Sequence, residues 1–126
     1  MDQPPRPPVF LDLARIRLPV AGVLSIAHRV SGVVLFLCIP LLLGLLELTL
    51  SGEAGRARVA ALLSGIPGRL GLFLLLWALS HHLLAGIRYL FLDADLGVCA
   101  PRYRQSAWLV LAAAPLVALL LLGGLR

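Results

Sequence analysis

The chain has 126 residues, 60% of them hydrophobic and 13% charged, with a mean hydropathy of +0.99. That is too little polar surface for a soluble domain of this size, so the composition is that of an integral membrane protein. The net charge of +5 comes from eleven arginines and no lysine, standing mostly at the ends of apolar runs, which fits membrane topology and argues against a nucleic-acid groove binder.

Residues 1–20 are polar and proline-rich (MDQPPRPPVFLDLARIRLPV) and form an N-terminal segment on one side of the membrane. The late, long apolar run that follows argues against a cleaved signal peptide. The fold expected is all-α, with three transmembrane helices forming part of a heteromeric anchor bundle. Helix one is expected over 21–50, kinked at Pro40, with Glu47 as the lone charge of its apolar core. Residues 51–67 contain Gly, Ser and Arg and read as a loop. Helix two is expected over 68–92, a second loop over 93–105, and helix three over 106–125, without any ionisable side chain and suited to lipid contact or packing.

Arginine counts set the orientation. Arg6, Arg15, Arg17, Arg29, Arg88, Arg102 and Arg104 lie on the N-terminal side, against Arg56, Arg58, Arg69 and Arg126 on the other, so the N-terminus is expected in the cytoplasm. Cys38 falls mid-membrane and Cys99 in a loop, and no zinc spacing exists. No phosphate loop, hydrolytic triad or carboxylate cluster is present either, so catalysis by this chain alone is not expected.

Two polar clusters interrupt the apolar runs. The first is Ser25-Ile26-Ala27-His28-Arg29-Val30-Ser31-Gly32, in which Ser25, Arg29 and Gly32 share one helix face and His28 borders it. The second is His81-His82-Leu83-Leu84-Ala85-Gly86-Ile87-Arg88-Tyr89, in which Ala78, His82, Gly86, Tyr89 and Asp93 fall near one stripe. Ionisable groups inside a membrane span are costly and mark function by default. Counting at ~1.5 Å per residue puts His28 roughly 10 Å and His82 roughly 15 Å from the same membrane face, so both clusters occupy one leaflet.

Haem suits His82: imidazole is a common axial ligand, and Ala78 and Gly86 leave room beside it for a flat macrocycle. His28, Arg29, Arg88 and His81 are candidate partners for its propionates. His81 points ~100° away and remains an alternative ligand. A second axial ligand would come from His28 or, more readily, from a partner chain. A quinone suits Ser25 and Arg29, because a hydroxyl and a fixed positive charge stabilise carbonyl oxygens that become negative on reduction.

These residues resemble the cytochrome b membrane-anchor subunit of bacterial and mitochondrial succinate dehydrogenase. The matching residues are Arg6-Pro7, Leu11-Asp12-Leu13 and Ile16-Arg17, then Ser25 to Gly32, then His82-x-x-x-Gly86-Ile87-Arg88 and Asp93, covering roughly residues 6–95. Tyr89 stands where the family usually has histidine or phenylalanine, Leu92 where it has an aromatic residue or methionine, and Pro8 follows Arg6-Pro7. The resemblance implies haem b with His82 as one axial ligand and the other from a second small anchor subunit. It implies that Ser25 and Arg29 line the quinone site, and that His28 and Arg29 lie near the propionates. It further implies partner iron–sulfur and flavoprotein subunits carrying iron–sulfur clusters and FAD, in the bacterial cytoplasmic membrane. An anchor of fumarate reductase and a haem-free structural anchor are the competing expectations; nucleic acid is not an expected partner.

Overall fold

The computed structural model describes residues 17–125. Four α-helices follow one another: α1 over Val20–Leu50, α2 over Glu53–Ser64, α3 over Ile66–Asp93 and α4 over Arg102–Gly124. Among the described residues there is no strand. Helices α1, α3 and α4 are each long and apolar enough to cross a membrane. A span of ~20 residues suffices for a ~30 Å hydrocarbon core, so the 31 residues of α1 and 28 of α3 overrun it at their ends. The expected all-α, three-span architecture is what the chain forms.

In lipid, helices gain little from hiding apolar surface from each other, so close backbone approach through small side chains carries the packing. The α3–α4 contact shows this. Ala107, Val110, Ala114 and Ala118, at spacings of three and four, are the buried residues of α4, and three of them are alanine. Ala107 and Val110 cluster with Ala85 of α3 and Leu24 of α1. Helix three is therefore packing scaffold along one stripe, while Leu116 and Leu120 on its other faces are exposed. The only buried residues of α1, Leu24 and Ser31, both lie in its first half. Beyond Gly32 it presents Phe36, Leu37 and Leu43 outward, a surface that suits lipid or another membrane subunit.

Element boundaries differ from the sequence expectation most at two places. The segment read as a loop over 51–67 contains the 12-residue helix α2. Its sequence, EAGRARVAALLS, is rich in Ala, Arg and Leu, all good helix formers, and its single glycine is a packing requirement, as shown below. Helix α4 starts a turn early, at Arg102, because the amides of Arg104 and Gln105 both donate to the Pro101 carbonyl. The arginines there extend beyond the apolar run rather than ending the helix. Helix α1 runs through Pro40 without a break. Between α3 and α4 the chain reverses through Asp95 and Gly97, both at positive φ.

Candidate functional site

Helices α1 and α3 each carry two polar-bearing stripes about 100° apart. On α1 the inner stripe is Leu24, His28 and Ser31, of which Leu24 and Ser31 are fully buried. On α3 it is Ala78, His81, Ala85 and Arg88, all buried. The neighbouring stripes stay partly open: Ser25, Arg29 and Gly32 on α1, and His82, Gly86 and Tyr89 on α3. The two open stripes meet at His82. A Cβ on Gly32 would lie 3.0 Å from His82 Cε1 and 3.3 Å from its Nδ1, so only glycine lets α1 approach the imidazole this closely.

The expected depth match between the clusters is realised as contact. The rings of His28 and His82 stack with centroids 4.2 Å apart and planes inclined by 20°. His82 Nδ1 lies 3.2 Å from the His28 carbonyl oxygen and 3.3 Å from Ser31 Oγ, while the Ser31 hydroxyl itself donates to that carbonyl at 2.8 Å. A carbonyl can only accept, so the contact with the His28 carbonyl is made with the proton on Nδ1. Among the described residues Nε2 makes no hydrogen bond, and it is not sealed from the surface as His28 Nε2 and His81 Nε2 are.

His81 has a different setting. It is 1% exposed and stacks on Trp77 at 5.5 Å, enclosed by the chain's own helices. A macrocycle would have to part α1 from α3 to reach it. Ala78 is fully buried too, so it offers no room for a flat ligand; Gly32 and Gly86 instead face the two imidazoles, His82 and His28. Tyr89 lies 5.3 Å from His28, its hydroxyl buried and unpartnered.

Arg88 is 5% exposed and turned towards α4. Its Nε donates to Ser106 Oγ at 3.0 Å and its Nη2 to the Tyr103 carbonyl at 3.0 Å, leaving only Nη1 without a partner. The guanidinium also lies 5.0 Å from the Tyr103 ring and 5.6 Å from the Tyr89 ring, within cation–π range. The structure thus uses Arg88 as the tie between α3 and the start of α4, where the sequence put it forward as a propionate contact. Arg88 shares a helix face with His81, seven residues before it, and that face turns inward. Loss of the hub should cost far more than loss of one bond. Ser106→Ala is expected to cost about 0.6–1.7 kcal/mol, whereas Arg88→Ala, which frees both acceptors and empties a buried volume, should cost about 2–5 kcal/mol. Thermal unfolding of the two variants in the same detergent checks the ordering, and equal losses would contradict the hub.

Ser25 is half-buried and Arg29 exposed, one turn apart on the open stripe of α1. Both therefore stand on the side of α1 that Gly32 presses against His82. Gly32 entered the sequence reading only as a face-mate of Ser25 and Arg29; nothing in a single sequence signals which side chain a glycine will accommodate. Among the described residues no group of three or more His, Cys, Asp or Glu side chains is placed to hold a metal ion.

The chain is thus a three-span helical membrane protein with an imidazole at the partly open seam between α1 and α3. The profile of the family described as succinate dehydrogenase/fumarate reductase transmembrane subunit matches residues 3–122. The cytochrome b556 subunit of succinate dehydrogenase from Coxiella burnetii is 41% identical over 104 residues, covering 82% of this chain and 83% of that protein. The subunit of the same name from Paracoccus denitrificans is 31% identical over 115 residues, covering 91% of this chain and 88% of its own length. The chain belongs to the succinate dehydrogenase/fumarate reductase transmembrane subunit family.

Proposed function

We propose that this chain is the haem b-binding anchor subunit of a succinate dehydrogenase and supplies part of its quinone-reduction site. The observation that carries the reading is the setting of His82: Nδ1 lies against the His28 carbonyl, Nε2 makes no hydrogen bond among the described residues, and Gly32 opposite has no side chain. Metal-bound histidines almost always donate their other ring N–H to such an acceptor, which fixes ring and tautomer before the metal arrives. Both relatives are cytochrome b556 subunits by name, which favours haem b and the succinate-oxidising direction.

In this account His82 is one axial ligand and a second small anchor subunit supplies the other, since His81 is enclosed and His28 lies stacked on His82 rather than opposite it. Arg29, exposed on the same seam, meets a propionate, with His28 beside it. When bound, the haem supplies a one-electron store within the membrane. Ser25 and Arg29 serve the quinone: each carbonyl oxygen gains negative charge as two electrons and two protons convert quinone to quinol. A hydroxyl donor and a guanidinium held near the membrane surface stabilise that charge. Succinate oxidation belongs to the flavoprotein partner and electron delivery to the iron–sulfur partner, both docked on the cytoplasmic face where the arginine excess lies.

The test is to purify the assembled complex from a bacterial membrane and add succinate. Reduction of a b-type haem together with added quinone is the expected result; a complex without haem would overturn the ligand assignment. A second expectation comes from the seam itself. Gly32→Val places methyls against His82 Cε1 and should break the Nδ1 bond to the His28 carbonyl. Haem affinity should fall ~10–100-fold, the usual cost of losing the group that orients a ligand. Haem per complex after dialysis measures it, and undiminished retention would remove Gly32 from the site.

A further inference from the structure

The end of the bundle opposite the histidines carries a built feature that haem and quinone do not use. Helix α2 is clamped at both ends by glycines. A Cβ on Gly55 would overlap the Leu48 carbonyl and Ser51 Oγ at the end of α1, and one on Gly68 would overlap the Leu62 carbonyl and the Leu63 backbone. The helix is thus fixed as a ledge against α1 and α3, and the spaces beside it are preformed.

A cavity of about 440 Å³ lies between this ledge, the start of α3 and the end of α4. Leu63, Leu72 and Leu122 line its apolar wall, and Ser64 and Arg69 bring polar groups to it. Across the ledge a second groove of about 400 Å³ has the same build, Leu48 and Leu62 beside Arg58. Arg69 sits one turn into α3, at the level where a span passes from hydrocarbon to headgroups. This end of the chain holds Arg56, Arg58 and Arg69 against Glu47 and Glu53, so its field favours anions.

We infer that the cleft between α2, α3 and α4 is a binding site for an anionic phospholipid, its phosphate on the Arg69 guanidinium and an acyl chain along Leu63, Leu72 and Leu122. A site with a leucine-lined wall and a guanidinium at the membrane surface matches the polarity gradient of a lipid. The flat fork of arginine bonds phosphate oxygens in pairs, which suits a phosphodiester headgroup. The inference stands apart from the haem and quinone reading, and failure of either leaves the other intact.

The assembled complex, reconstituted in nanodiscs of equal phosphatidylglycerol and phosphatidylcholine, is released into native mass spectrometry. Wild type should retain phosphatidylglycerol over phosphatidylcholine, and Arg69→Gln should lower that retention about fivefold. Leu72→Trp, which fills the cleft and keeps the charge, should lower it as well, so the test survives if one variant fails to assemble. The haem spectrum should be the same in all three. Equal retention of the two lipids, or retention unchanged by both variants, would overturn the site. So would a photo-crosslinker at Leu122 that captures a partner subunit in place of lipid.

Discussion

His82→Ala should leave the assembled complex without its haem. Among the described residues His82 Nε2 makes no hydrogen bond, whereas His28 Nε2 and His81 Nε2 are buried, so neither neighbour is placed to take over. His28 is held by stacking and its Nε2 is buried beside Gly86; His81 is enclosed next to Trp77. Losing an orienting group around a metal site costs ~10–100-fold in affinity, and losing the ligand itself should cost more. Haem per complex, measured by pyridine haemochromogen, should therefore fall at least ~100-fold in affinity terms. The variant should still assemble, because His82 contributes to α1–α3 packing mainly through one ring and two long hydrogen bonds. A variant that retains haem would sink the assignment.

Arg29→Gln should separate electron arrival from quinone reduction. Arg29 is exposed on the open stripe and among the described residues forms none of the side-chain bonds that hold the bundle, so its removal should leave the fold unchanged. Succinate should still reduce the haem in this variant. Quinone reduction should fall ~10²–10³-fold in kcat, the usual loss when one donor to a developing oxyanion is removed. Arg29→Lys should recover part of it, since a point charge replaces the fork. The haem midpoint potential should move down in Arg29→Gln, because a positive charge near the propionates is lost. A purely structural arginine would show neither the split between the two rates nor the shift in potential.

How far a single sequence could show this follows from the physics of each part. The three spans were legible because a bilayer demands long apolar helices and the chain has three. That the two polar clusters share one leaflet was legible by counting rise per residue from one membrane face; that the rings of His28 and His82 stack was not. Which stripe faces inward was not legible. In a soluble helix the polar face marks the outside, but α3 is apolar nearly all round, so His81–Arg88 and His82–Gly86 looked equally open. Arg88 and Ala78 were accordingly given to a ligand, and the structure gives both to the interior. The α2 ledge was missed because Gly55 reads as a helix weakener, whereas it is the contact that seats the helix on α1. The stretch Arg6–Arg15, which carries part of the resemblance, lies outside the described residues.

The measurement that bears most directly on the central claim is the reduced-minus-oxidised visible spectrum of the assembled complex, taken for wild type, His82→Ala and His81→Ala side by side. The two histidines are adjacent in sequence, yet one is presented at the seam and the other is 1% exposed. A six-coordinate b-type spectrum in wild type and His81→Ala, absent only in His82→Ala, is the predicted result. Loss of that spectrum in His81→Ala with its survival in His82→Ala would contradict the account.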